Sequence, residues 1–255
     1  MMKITVIGCG WLGMPLAQRF VAAGMEVSGT VRTVDKLDQL SDLGIRPILY
    51  SGSISQELIV GLQTTDLLII CFPPSGSPDY AAQITQLIDI VSEKTQVIFT
   101  SSTGVYKDIE SWIDESGDVL TDHPVFLAES VIREKCAGRF SILRLSGLFG
   151  SGRHPVKYLA GRQGIRNGLA PVNLVHLRDV IQAILTVTDE NLYGKTYNLS
   201  YPEHPTKKEY YTEMAHNLNL HEPMFDEDQT GGKCVNGDKI IQESNFNYCF
   251  GLYEP

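Results

Sequence analysis

No run of eighteen or more apolar residues occurs anywhere in the 255-residue chain, so the sequence offers no helix able to span a membrane. Met1-Met2-Lys3 leads straight into a strand-like segment, without the apolar h-region and small-residue cleavage site of a secretory leader. Positive charge is scarce: 21 Lys and Arg stand against 30 Asp and Glu, a formal net charge of −9. Such a surface repels phosphate backbones, which speaks against nucleic acid as a partner and favours solubility. Cysteine is sparse and odd in number: Cys9, Cys71, Cys136, Cys234 and Cys249 are scattered, and none forms a CxxC pair. That speaks against a disulfide framework and a zinc site, and points to a reducing, cytoplasmic compartment. No metal site is expected.

What is present is an α/β pattern. Short apolar runs at Lys3–Ile7, Glu26–Val31, Arg46–Leu49, Asp66–Phe72, Val97–Thr100, Phe140–Leu145 and Lys195–Leu199 read as strands. Helix-period segments at Leu12–Ala23, Tyr80–Lys94, Phe126–Cys136, Leu177–Val187 and Thr206–Asn217 lie between and after them. Continuous apolar strands between amphipathic helices predict a doubly wound Rossmann sheet of about seven parallel strands, covered on both faces. Beyond about Gly150, Gly and Pro become frequent. The expected organisation is a dinucleotide-binding core over 1–150 and a smaller substrate-side cap over 151–255, interleaved with the same domain.

The strongest local signal is Gly8-Cys9-Gly10-Trp11-Leu12-Gly13, a GxGxxG between a strand and a helix. Gly8 permits the tight turn, Gly10 admits a pyrophosphate against the backbone, and Gly13 lets helix and strand pack closely. Trp11 and Leu12 open the helix, whose N–H groups and positive dipole end face the phosphates. The end of the second strand discriminates between dinucleotides. An NAD site carries Asp or Glu there, whereas this chain reads Thr30-Val31-Arg32-Thr33. Arg32, helped by Thr33, suits a 2′-phosphate, which favours NADP(H) over NAD(H). The stiff loop Phe72-Pro73-Pro74 follows the fourth strand, at the carboxyl edge where open α/β sheets bind ligands.

From Thr100-Ser101-Ser102-Thr103-Gly104-Val105-Tyr106 onward the chain resembles the extended short-chain dehydrogenase/reductases, the NAD-dependent epimerase/dehydratase-like proteins. Leu143-Arg144-Leu145-Ser146-Gly147-Leu148-Phe149-Gly150, Val172–Asp179, Tyr197-Asn198-Leu199-Ser200 and the tail from Gly232-Lys233 to Phe246 continue the likeness. One residue between Gly8 and Gly10, rather than two, is the spacing of the atypical branch. The resemblance places Ser101 beside the cofactor and makes Ser102 the catalytic hydroxyl that bonds the reacting oxygen. It puts Tyr106 at the substrate-side tyrosine, a candidate replacement acid. The family's proton-transferring Tyr falls on Phe126 and its Lys on Ser130, and no Tyr in the chain has Lys four residues later. A phenyl ring exchanges no proton, and loss of a positioned acid costs about 10²–10⁴ in rate. Thr103 and Gly104 stand where the dehydratases carry Asp and Glu, and Gly147 replaces an Asn that holds diphosphate. His176 and Asp179 are expected to knit the fold through a hydrogen bond.

Two functions compete. One is an atypical NADP(H)-dependent oxidoreductase or epimerase-like enzyme acting on a small polar carbonyl or alcohol. The other is a non-catalytic NADP(H)-binding redox sensor with a protein partner, a reading that Phe126 and Ser130 motivate. The opening Ile7-Gly8-x-Gly10-x-Leu12-Gly13 also looks like hydroxyacid dehydrogenases of the phosphogluconate type, but those need an all-helical second domain, against which the later strands argue. A homodimer is the assembly the short-chain resemblance implies.

Overall fold

The computed structural model describes residues 1–75, 79–150, 152–226 and 231–254. Its central element is a seven-stranded sheet. Five of its strands are β1 (Lys3–Ile7), β2 (Glu26–Val31), β3 (Arg46–Leu49), β4 (Leu67–Ile70) and β5 (Gln96–Ser102). Phe140–Leu145 and Lys195–Leu199 complete it. The spatial order is Lys195–Leu199, Phe140–Leu145, β5, β4, β1, β2, β3. β1 pairs with β2 and β4, β2 with β3, and β4 with β5, all parallel. The order reverses between β1 and β4, the topological switch point at whose carboxyl edge doubly wound sheets take ligands. Every residue of β4 is buried, as befits a strand covered on both faces.

The helices form where periodicity and caps coincide. In α1 (Gly13–Ala22) Leu16, Ala17 and Phe20 face the sheet, and Gly24 at φ +79° ends the turn. Asp79 caps α4 (Tyr80–Ile88) by accepting the Ala82 N–H at 2.9 Å. Pro124 opens α5 (Pro124–Lys135) at a position where its missing N–H costs nothing. Thr206 and Glu209 form a reciprocal capping box on the helix Lys207–Asn217.

The structure departs from the sequence expectation in ways that have local causes. The segment expected to stay helical to Lys94 leaves the helix at Asp89, where Asp89 pairs with Lys135 at 2.7 Å and Ser92 Oγ takes the Lys94 N–H. Serine bonding its own backbone competes with the helical ladder. Among the described residues, four short helices lie outside the expected segments: α2 (Leu37–Asp42), α3 (Gln56–Gln63), Val156–Leu159 and Lys239–Glu243. α2 buries only Leu40, and α3 has Gly61 in its middle, so neither shows a strong periodic stripe.

By chain contacts the molecule comprises two compact units. The first contains Met1–Ser101, Leu120–Leu143 and Asn191–Thr196; the second contains Ser102–Val119, Arg144–Glu190 and Tyr197–Pro255. The chain thus passes from one unit to the other several times. Within the second unit, Leu177–Asp189 is a helix capped by His176, and Cys234–Val235 pairs in parallel with Trp112–Ile113. No helix among the described residues is long and apolar enough to cross a membrane.

Candidate functional site

In the first unit the turn between β1 and α1 has the geometry that dinucleotide binding requires. Gly8 sits at φ +96°, and a Cβ there would lie 3.0 Å from both the Phe72 Cβ and the Phe72 N. Gly13 is more constrained: an added Cβ would meet the Gly8 carbonyl oxygen at 2.2 Å. At Gly10 an added Cβ meets nothing within 4 Å, so this glycine leaves open space instead of relieving a clash. That is the difference between a glycine needed for packing and one needed for approach by something else.

The turn is anchored to β2. Thr30 Oγ1 accepts the Gly8 N–H at 2.9 Å, and the Thr30 carbonyl accepts the Cys9 N–H at 2.7 Å. Cys9 points inward, and a Cβ on Gly29 would lie 2.6 Å from its Sγ. Burial raises the Cys9 thiol to about 12, so it is an inert packing group. No side chain caps α1 at Leu12, no acid lies in its first turn, and Trp11 is half-buried beside it. The positive end of the helix therefore remains available to an anion.

Arg32 and Thr33 are both exposed at the end of β2, and the strand end carries no carboxylate before Asp35. Phe72 is held edge-on to Tyr80 with ring centroids 5.3 Å apart, and its carbonyl accepts the Tyr80 hydroxyl at 2.8 Å. Pro73 and Pro74 continue this braced segment. The fit to a dinucleotide is thus good at the turn, the helix end and the neighbouring loop.

Ser101 lies near the end of β5 and is buried. Its Oγ donates to Glu129 Oε1 at 2.5 Å, and Glu129 on α5 is 0% exposed. Arg133, one turn on, lies 3.5 Å from the same carboxylate and donates to Thr196 Oγ1 at 2.7 Å. A dinucleotide would therefore compete with Glu129 for this hydroxyl. Phe126 and Ser130 lie one turn apart on α5, where Ser130 Oγ donates to the Phe126 carbonyl at 3.1 Å.

The second unit contains Ser102 and Tyr106. Ser102 is half-exposed, and its Oγ accepts the Gly104 N–H at 3.0 Å, shaping the following 3-10 turn Thr103–Val105. Tyr106 is only 1% exposed, and its hydroxyl donates to Asn198 Oδ1 at 2.7 Å. Burial raises its pKa, while Arg144, whose guanidinium lies 4.8 Å from the ring centroid, works in the opposite direction. The phenol is thus engaged inside the unit. Asn198 is fixed in turn, with its N–H on Glu115 Oε1 at 2.7 Å and its amide on the Asn236 carbonyl at 3.1 Å.

His176 and Asp179 do hold structure together, though not through each other. The His176 ring stacks on Phe250 at 4.6 Å, while Asp179 accepts the N–H groups of Cys249 and Phe250 at 2.9 and 3.3 Å. Both pin the tail against the helix Leu177–Asp189. Sequence reasoning missed Glu129, Asn198 and Lys233. Their partners lie 28 to 127 positions away, and only the burial of an unexplained charge could have marked Glu129.

The glycine turn, the uncapped helix end and the sheet order together define a Rossmann fold of the kind found in the short-chain dehydrogenase/reductases, with a turn that fits a dinucleotide. Comparisons agree. The NAD-binding domain of 6-phosphogluconate dehydrogenase matches residues 3–125. A UDP-glucuronic acid 4-epimerase from Bacillus cereus, solved in complex with NAD, superposes with a TM-score of 0.78 at 17% identity, covering 99% of this chain and 95% of that one. A short-chain dehydrogenase/reductase superfamily protein from Agrobacterium tumefaciens, with bound NAD, gives 0.77 at 16% identity over 98% and 93%. Protein YeeZ of Escherichia coli (strain K12) is 35% identical over 271 aligned positions, 97% of this chain and 96% of that protein. The chain belongs to the family of Protein YeeZ.

The phosphogluconate-type likeness is confined to the first half. After it the chain adds Phe140–Leu145 and Lys195–Leu199 to the sheet, which an all-helical second domain does not do.

Proposed function

We propose that this protein binds NADP(H) at the β1–α1 turn and acts as an atypical oxidoreductase or epimerase-like enzyme on a small polar carbonyl or alcohol compound. The observation that carries the reading is the contrast at the glycines: Gly13 is required by packing against Gly8, whereas Gly10 faces open space. Exposed Arg32 at the end of β2 is the residue that would take the 2′-phosphate, with Thr33 beside it. The bound cofactor would supply or accept a hydride.

The chain's own contribution to proton transfer differs from that of a Tyr–Lys enzyme. Ser102 is the half-exposed hydroxyl available to a reacting oxygen. Using the Tyr106 phenol would require breaking its bond to Asn198. A redox-sensor reading, in which the protein reports NADP⁺ against NADPH to a partner, is favoured by Ser130, whose hydroxyl is spent on the Phe126 carbonyl.

Calorimetric titration with NADPH, NADP⁺, NADH and NAD⁺ tests the first part. Arg32→Ala is expected to weaken only the phosphorylated pair, by roughly 10-fold, the loss of one charge-assisted contact. Equal weakening of all four would assign Arg32 no part in phosphate recognition. Consumption of bound NADPH across a carbonyl panel separates enzyme from sensor, and a sensor must bind the two redox states unequally.

A further inference from the structure

The second unit contains a lysine that neither the family's motif nor the reading above uses. Lys233 is half-buried, and its Nζ donates to the Tyr106 carbonyl at 3.0 Å. Its backbone is held on all sides. Asn173 donates to the Lys233 carbonyl at 2.9 Å and accepts the Val235 N–H at 2.8 Å, and Cys234 N–H donates to the Ser111 carbonyl at 2.9 Å. Before it, the Gly231 N–H binds Glu110 Oε1 at 2.8 Å, and a Cβ on Gly232 would press on Ala170 at 3.2 Å. A flexible surface lysine has no such support.

An ammonium has three N–H donors, and the Tyr106 carbonyl uses one. No carboxylate lies within ion-pair distance among the described residues; exposed Asp108 acts on Lys233 only at longer range. Asn173 also accepts the Gly147 N–H at 3.0 Å, which links this loop to the segment containing Arg144 and Ser146. Ser146 Oγ is buried and has no hydrogen-bond partner. Arg144 lies under the same Tyr106 whose carbonyl holds Lys233. A second cation therefore sits on the same tyrosine that holds Lys233.

We infer that Lys233 is a substrate-binding residue: its ammonium, set on the Tyr106 carbonyl, receives an oxyanionic group of the substrate, a carboxylate or a phosphate. This rests on the reading that the protein acts on a small polar compound, and it names the charge of that compound. Burial lowers the amine's pKa, and an arriving anion would act in the opposite direction.

The test uses inorganic phosphate and malonate as separate probes. Lysines are labelled with trinitrobenzenesulfonate at pH 8 and located by peptide mass mapping, while anion affinity is followed by calorimetry on the wild type, Lys233→Met and Lys233→Arg. One of the two anions should slow the labelling of Lys233 several-fold while leaving exposed Lys36 and Lys208 unaffected; which one does so tells phosphate from carboxylate. Lys233→Met should lose about 10–100-fold in affinity for that anion, and Lys233→Arg should retain most of it. Unchanged anion affinity in Lys233→Met, or labelling of Lys233 that neither anion slows, overturns the proposal. NADPH affinity, measured on the same samples, should be equal in all three. Its absence throughout would count against the cofactor reading and leave the lysine result standing.

Discussion

At the scale of single residues, three glycines in one motif have separable duties. Gly13 is a packing residue: a methyl group at 2.2 Å from the Gly8 oxygen must push the helix off the strand. Gly10 is not, since the same methyl enters empty space. Gly13→Ala should therefore destabilise the fold by ~1–3 kcal/mol, the usual cost of overpacking, and lose cofactor as a consequence. Gly10→Ala should unfold at the wild-type temperature yet bind NADPH at least 10-fold more weakly. Thermal melts read beside titrations separate the two, and a Gly10→Ala protein with full affinity would remove the pyrophosphate from this turn. Tyr106 illustrates the opposite situation, in which a side chain with chemical potential is bound to Asn198 and thereby acts in the structure of the second unit.

At the scale of elements, α5 has a buried charge at its centre. Glu129 joins the end of β5, through Ser101, to Arg133 and Thr196. A carboxylate that is 0% exposed persists only where its partners compensate for lost water. Removing it leaves Arg133 and Ser101 short of an acceptor. Glu129→Ala is expected to cost about 3 kcal/mol in urea unfolding, with the end of β5 loosened. Glu129→Gln retains an acceptor for Ser101 and should cost less than half as much. If the two variants melt alike, the Ser101 bond contributes little and the loss is one of charge alone. Ser101, bonded to Glu129, thus supports the end of β5 before it serves any ligand.

At the scale of the whole molecule, stability depends on a histidine kept neutral. His154 Nδ1 accepts the Val156 N–H at 3.2 Å, and Nε2 meets the Tyr210 hydroxyl at 2.9 Å. Tyr210 spends its own proton on the Leu252 carbonyl at 2.8 Å, so Nε2 must be the donor. Adding a proton to Nδ1 would set it against the Val156 N–H. Burial accordingly lowers the His154 pKa from 6.5 to about 4. Between those values the unfolded chain binds the proton and the folded chain does not. Stability is therefore full above pH 6.5 and falls as the pH drops toward 4, by ~2–3 kcal/mol from this group. His154→Gln should flatten that part of the pH–melting profile; an unchanged slope would assign the acid sensitivity to the carboxylates.

Much of the fold is legible in the sequence. β1, β2, β3, Phe140–Leu145 and Lys195–Leu199 fall where their apolar runs predicted, because side chains covered by the helices must leave water, although the edge strand β3 buries only Ile48. The glycine turn was equally legible, since tight turns and close approach are constraints on neighbouring residues. The ends of α4 and the existence of α2 and α3 were less so, because a few cap and turn hydrogen bonds outweigh a weak periodic stripe there. What only the tertiary structure decided is where each polar side chain spends its hydrogen bonds. Ser101 turns to Glu129, Tyr106 to Asn198, and Lys233 to a carbonyl 127 positions away. Periodicity reports which face of an element is buried. It says nothing of which distant group waits there, and for a polar atom removed from water that partner determines whether it supports the fold or remains available to a ligand.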